Sequence, residues 1–402
     1  MAKNGFWDYE EVDSIKNWLN DLETIGYIEP KIINAENSAI KCTNEINPAL
    51  FPVRFTPKYQ KPIDMDTYCC NGSMFDVYNN FESINYLIEF CQLANYTFDG
   101  VSPSFLSTKP KSSNITLLIT FNREVRPVNI ITLKHLYASY FNNIIFCGKG
   151  ILSQLNDEIG AFKKFDSYTF IDLDTVNGYY HYFCMTKAIE MNFVTDGILL
   201  MSDDVLLKYW HLGKLDKNKI WYPYSLKEIC VHEVYKGNPK LNSWMWWNTH
   251  MGIDSILKTW DYFNKAQNNS ISIEKENLNI INSYLNRLDK INANKSNYTR
   301  VCVHGSDFFY LNARNFKRYH YISSLFRQFD VFLEIAVPTI LAGIENVTEI
   351  INGTYTWSGQ INLESYDTLG YFAHPVKISQ YYNNPKGKIF CSKFIKDKFN
   401  DL

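Results

Sequence analysis

From residue 115 onward the chain alternates short apolar runs with segments whose apolar residues recur every three or four positions. Residues 115–121 (ITLLITF), 143–148 (NIIFCG), 168–173 (YTFIDL) and 197–201 (GILLM) read as buried strands. Between them, residues 128–140 carry Val128, Ile131, Leu133, Leu136 and Tyr140 at roughly helical spacing. Residues 178–192 place Tyr182, Met185 and Ile189 on one helical face. Strand–helix–strand alternation predicts parallel βαβ units, hence an α/β fold. In such sheets ligands bind beyond the carboxyl ends of the strands. The run 197–201 leads into Ser202, Asp203 and Asp204, which puts two carboxylates at such an end.

Further along, residues 316–329 and 332–344 read as helices, with Pro338 expected to kink the second. Residues 301–304 read as a short strand, followed by a polar turn at Gly305–Ser306–Asp307 and three aromatics. Residues 264–297 are polar, Asn-rich and partly helical, the pattern of a surface insertion. Residues 1–110 differ from the rest. They hold seven of the prolines, two helical patterns near residues 9–25 and 74–93, and a Ser/Lys-rich stretch at 102–113 that reads as a linker. The expected organisation is an N-terminal accessory region over 1–110 and one α/β domain over 111–402.

Composition narrows the function classes. Lys+Arg 40 against Asp+Glu 42 leaves a net charge of −2, so a broadly basic nucleic-acid binder is excluded as a class. The hydrophobic fraction of 46% is that of a folded protein. Tyr 28, Phe 27 and Trp 9 make an aromatic-rich chain, which suits stacking against sugar rings and equally an AT-rich coding sequence. Nine scattered cysteines with no CxxC pair predict neither a zinc site nor a disulfide framework. Eight N-x-[ST] matches keep a secretory location open. The apolar run 332–344 is too short to span a bilayer and contains Glu334. The first residues lack a charged-then-apolar leader, so the expectation is a cytoplasmic protein, or one of the Golgi or ER lumen if a targeting segment is missing.

Asp203 and Asp204 carry the sharpest chemistry. Adjacent carboxylates after a buried strand repel unless something compensates them. A divalent cation does so and also neutralises a diphosphate; a helix-capping turn is the alternative. Asp172 and Asp174 follow another apolar strand with DxD spacing, but the turn and helix start after them explain those acids as caps. His374 and Lys377 (HPVK) could reach one anion–metal centre, imidazole to metal and ammonium to phosphate. Glu334, inside FLEIAV, must be paired, protonated or functional, and as a function it suggests a catalytic base or acid. Arg123 and Arg126, after the first strand, could hold nucleotide phosphates. His304 and Asp307 could position an acceptor, and Trp246 and Trp247 could stack on sugar or lie in the core. There is no GxxxxGK[ST], GxGxxG after the first strand, HExxH or GxSxG, which disfavours P-loop kinases, Rossmann dehydrogenases, zincins and α/β-hydrolases.

The ordered set GILLMSDDV, HGSDFFYL, FLEIAVPTIL and HPVK resembles metal-dependent glycosyltransferases of the GT-A fold. It looks most like the STELLO-type glycosyltransferases and is similar in layout to the exostosin-like transferase domain, over about residues 113–385. The resemblance implies a GT-A-like (Rossmann-like) mixed sheet flanked by helices. It implies Mn²⁺ or Mg²⁺ and the donor diphosphate on Asp203 and Asp204, with His374 and Lys377 similar to the family's late His/Lys; Ser202, Arg123 and Arg126 stand, by position, as further contacts to the nucleotide-sugar donor. Glu334 then stands at the catalytic acid position, with His304 and Asp307 on the acceptor side. Ser202 stands where exostosin-like enzymes have Asp. The expected function is transfer of a sugar from a UDP- or GDP-linked donor to a glycan or protein acceptor. Two other readings keep the same fold: a non-catalytic glycan-binding or assembly module, and a sugar nucleotidyltransferase. The latter's Gly-rich opening loop is missing here.

Overall fold

The computed structural model describes residues 49–51, 80–98, 113–123, 125, 127–149, 169–230, 241, 244–292, 301–345, 348–356, 361–381, 384–385 and 387–401. In chain order the main elements begin with β1 (Ala49–Phe51), α1 (Asn80–Leu93), β2 (Ser113–Thr120), α2 (Pro127–Tyr137), β3 (Phe141–Gly148) and β4 (Thr169–Asp172). Then come α3 (His181–Glu190), β5 (Gly197–Ser202), β6 (Leu206–Leu207), β7 (Ile220–Tyr222), α4 (Ser255–Gln267), α5 (Lys275–Asn292) and β8 (Phe308–Asn312). The last are α6 (Phe316–Gln328), α7 (Leu333–Ile344), β9 (Thr348–Ile350), β10 (Gly353–Tyr355), β11 (Phe372–His374) and a helical segment over 387–401.

An eight-stranded mixed sheet in the order β1-β4-β3-β2-β5-β8-β7-β9 forms the centre. Strands β4, β3, β2 and β5 run parallel, as the βαβ reading predicts, while β8 lies antiparallel to β5. Alternation of side chains across the pleat divides the core into two. Leu118, Ile145, Ile198 and Leu200 face a cluster built with α3, α5, α6 and α7. Leu117, Ile119, Phe146 and Leu199 face the other, built with α1, α2 and the C-terminal helices. Central strands covered on both faces must be apolar at every position, which is why these runs do not alternate in sequence. The result is a Rossmann-like α/β fold with helices on both sides of the sheet.

Three sequence expectations change. The strand expected at 301–304 lies instead at Phe308–Asn312, where five buried residues pair with β5; Cys302 makes only an isolated bridge with Cys230. Within the stretch expected as a surface insertion, α5 turns Ile281, Tyr284, Leu285 and Leu288 into the core, with polar residues on its outer face. The helix expected over 332–344 is present as α7, with Pro338 inside it. Cysteines expected to be unpaired form three disulfides, Cys91–Cys391, Cys147–Cys184 and Cys230–Cys302. Their separations of 300, 37 and 72 residues leave no local spacing signal. The helical pattern at 9–25 and the linker at 102–113 lie outside the described residues, except Ser113, which opens β2. Among the described residues no helix is long and apolar enough to cross a membrane.

Candidate functional site

Strand β5 ends at Ser202, and the chain turns at once, with the Val205 N–H donating to the Ser202 carbonyl at 3.0 Å. The neighbouring strand holds this turn, because the Asp203 N–H donates to the Thr120 carbonyl at the end of β2 (2.9 Å). A three-stranded sheet, β10-β11-β6, stands beside it. The Val376 N–H donates to the Asp204 carbonyl at 2.6 Å, which anchors the chain after β11 to the acidic turn. These backbone bonds bring His374 to Asp204, with Nε2 at 3.3 Å from Oδ1. The same nitrogen is 3.7 Å from Asp307 Oδ1. Asp307 Oδ1 accepts from Ser202 Oγ at 2.9 Å, so Ser202 fixes Asp307 beside the histidine.

Asp204 and His374 form the floor, only 7% and 8% exposed. Asp203, Asp307, Glu334 and Lys377 are half-buried above it. Burial, then the charge of Asp204, pushes the Asp203 carboxyl well up, against the pull of Lys377 and His374. Burial also opposes ionisation of Asp204, but the facing His374 and then Lys377 outweigh it and hold its carboxyl below the ordinary range. Burial would lower His374; Asp307 and Asp204 prevail and raise it. The pair is therefore an imidazolium on a carboxylate when no cation is present. Asp204 Oδ1 and His374 Nδ1 are buried without a hydrogen bond of ordinary geometry.

Glu334 lies in the first turn of α7. Its carbonyl accepts the His304 N–H at 3.0 Å, which ties the helix start to the segment entering β8. Burial, then the charge of Asp307, lifts its carboxyl to about 8, partly opposed by His374 and by a hydrogen bond from Trp244. His304 is lowered to about 4 by burial, and its Nδ1 accepts the Gly305 N–H at 2.8 Å.

The structure thus brings together Ser202, Asp203, Asp204, Asp307, Glu334, His374, Lys377 and His304 from positions up to 175 residues apart. Arg123 is exposed just beyond β2, and Arg126 lies outside the described residues. Trp246 and Trp247 are not a sugar platform. Trp247 is fully buried, and Trp246 is 8% exposed and stacked on Phe332 at 4.7 Å. The segment before α4 is pinned at the start of α7, where the Phe332 N–H donates to the Met251 carbonyl at 2.8 Å. Asp172 and Asp174 are exposed at the end of β4, with Asp174 3.3 Å from Lys149. Sequence reasoning missed Tyr224, Tyr355 and His181. Tyr224 and Tyr355 sense the charges of Asp307 and Glu334, and His181 those of Asp307 and Asp204. The only sequence signal for Tyr224 was its place just after an apolar run, IWYPY.

Among the described residues no group of three His, Cys, Asp or Glu side chains converges in ligating geometry. The Asp204–His374 pair is compatible with two neighbouring positions around a divalent cation. Ligands at about 2.1 Å and right angles stand about 3 Å apart, and Mg²⁺-type sites draw their remaining ligands from water and substrate phosphates.

In open α/β sheets ligands bind beyond the carboxyl ends of the strands, which is where this acidic cluster stands. The chain belongs to the STELLO glycosyltransferases, whose family model matches residues 1–305. It is similar to two proteins of Arabidopsis thaliana. "Probable glycosyltransferase STELLO1" is 19% identical over 350 residues, covering 86% of this chain and 36% of that protein. "Probable glycosyltransferase STELLO2" is 20% identical over 244 residues, covering 59% and 25%. The chain therefore spans about a third of the length of these curated relatives or less. No solved structure matches it.

Proposed function

We propose that the chain is a metal-assisted glycosyltransferase of GT-A type, moving a sugar from a UDP- or GDP-linked donor to a glycan or glycoprotein hydroxyl. The observation that carries this reading is the meeting of the Asp203–Asp204 turn with His374, Lys377, Asp307 and Glu334 at the end of β5. Asp204 and His374 would hold Mn²⁺ or Mg²⁺, with Asp203 beside them. Bound there, the ion would supply Lewis-acid neutralisation of the diphosphate leaving group. Lys377, whose charge acts on both aspartates, would offset the diphosphate charge from the rim. Ser202 and Asp307 keep His374 oriented through the 2.9 Å hydrogen bond and the 3.7 Å ion contact.

Glu334 would accept the acceptor hydroxyl proton. A carboxyl raised to about 8 is a stronger base once ionised than an ordinary glutamate, and it still ionises near neutral pH. Three disulfides, with exposed sequon residues at Asn95, Asn114, Asn268 and Asn352, favour an oxidising compartment such as the Golgi or ER lumen over the cytosol.

The test is titration and hydrolysis of a UDP- and GDP-sugar panel with and without Mn²⁺, in the wild type and in Asp204→Asn. Mn²⁺-dependent binding that Asp204→Asn abolishes is the expected result. No binding of any donor, with Asp204→Asn indistinguishable from wild type, overturns the reading.

A further inference from the structure

The acidic floor has an aromatic side. Tyr224, two residues beyond β7, stacks its ring on His304 at 3.5 Å between centroids and 30° between planes. Tyr355, the last residue of β10, lies 5.7 Å from Tyr224 at 34°. It reaches to 5.4 Å from the His374 ring. The backbone beneath is well fixed: the Tyr222 hydroxyl donates to the Gly305 carbonyl at 2.8 Å, locking the end of β7 to the turn before β8. Tyr224, His304 and Tyr355 are each half-buried, so the row has solvent on part of its surface. Asp307 and Glu334 are close enough to act electrostatically on both tyrosines.

Rings held rigidly beside carboxylates are what a pyranose requires. Its C–H face is apolar and packs against an aromatic surface, while its hydroxyls donate to acceptors at the edge. Trp246 and Trp247 cannot serve, because they are packed in the core.

We propose that Tyr224 and Tyr355 form the wall against which a pyranose ring packs, its hydroxyls meeting Asp307 and Glu334. The inference rests on the glycosyltransferase reading for its setting, and the ring can belong to donor or acceptor. Tyr224 contributes ring surface, so its phenyl face matters more than its hydroxyl. Tyr355 closes the row on the His374 side and sets how deep the sugar sits.

Calorimetric titrations with Mn²⁺ present separate the cases. The probes are UDP, the UDP-hexoses UDP-glucose, UDP-galactose and UDP-N-acetylglucosamine, and a set of methyl pyranosides. Tyr224→Ala is expected to weaken sugar-bearing probes about tenfold while leaving UDP within about twofold, with Tyr224→Phe near wild type. A loss confined to UDP-hexoses assigns the ring to the donor, and one confined to methyl pyranosides assigns it to the acceptor. Tyr355→Ala is the second variant, and the melting temperature of each verifies folding. The wall is refuted if both alanine variants bind every sugar probe as wild type does, if UDP is lost to the same degree as sugar, or if wild type binds no saccharide. Wild-type failure to bind UDP, with methyl pyranosides still captured and lost in Tyr224→Ala, sinks the donor site and leaves the wall standing.

Discussion

Replacing Glu334 with Gln should make the ligand-free protein more stable at alkaline pH and inactive. Glutamate ordinarily ionises near 4.5, and burial with the neighbouring Asp307 charge raises Glu334 to about 8. Between those values the unfolded chain has released a proton that the folded chain retains. Stability therefore falls as pH rises through this window, by about 1.4 kcal/mol for each pH unit. The stabilisation from the buried neutral acid is fully present below pH 4.5 and is lost as pH passes about 8. The ceiling is about 5 kcal/mol. Glu334 is half-buried, so solvent relieves part of the strain of ionisation, and about 2–3 kcal/mol is the expected size. Gln keeps the shape and cannot ionise. The assay is urea unfolding followed by circular dichroism at pH 5, 6, 7, 8 and 9, without reductant and with EDTA. The two proteins should coincide near pH 5, and Glu334→Gln should gain progressively to pH 9. A stability gap that does not change with pH, or one that grows as pH falls, refutes the reasoning. Turnover should move the other way, down by about 10²–10⁴-fold if Glu334 takes the acceptor proton.

Asp204→Asn should leave the fold intact and cut Mn²⁺-dependent donor hydrolysis about a hundredfold, read as UDP release against metal concentration. Mass mapping of unreduced peptides should find Cys91–Cys391, Cys147–Cys184 and Cys230–Cys302. The double variant Cys91→Ser with Cys391→Ser should lose about 2–4 kcal/mol in urea unfolding, because that bond ties α1 to the C-terminal helices across 300 residues. Trp246→Ala should cost about 3–5 kcal/mol of stability, since its ring fills a core site on Phe332. A near-neutral result in the same unfolding assay would mean the indole is not packed there.

The sequence by itself determined the elements whose character is local. Strands covered on both faces announce themselves as unbroken apolar runs, and β2 through β5 lie within a few residues of where those runs predict them. Helices α3, α6 and α7 followed from spacing of three and four, and the Asp203–Asp204 turn was readable because an apolar strand stops at it. Only the tertiary structure decided what meets that turn. Asp307 reaches Ser202 across 105 residues, and His374 arrives from a second sheet; neither contact leaves a mark on neighbouring residues. The same holds for the cysteine partners. It holds too for α5, whose outer polar face hid an inner face that the core needed, and for Trp246 and Trp247, which lie in the segment pinned at the start of α7. Local periodicity records which face of an element is buried. It does not record against what, because that depends on strand order and on backbone bonds such as Val376 to Asp204, which any residue but proline could have donated.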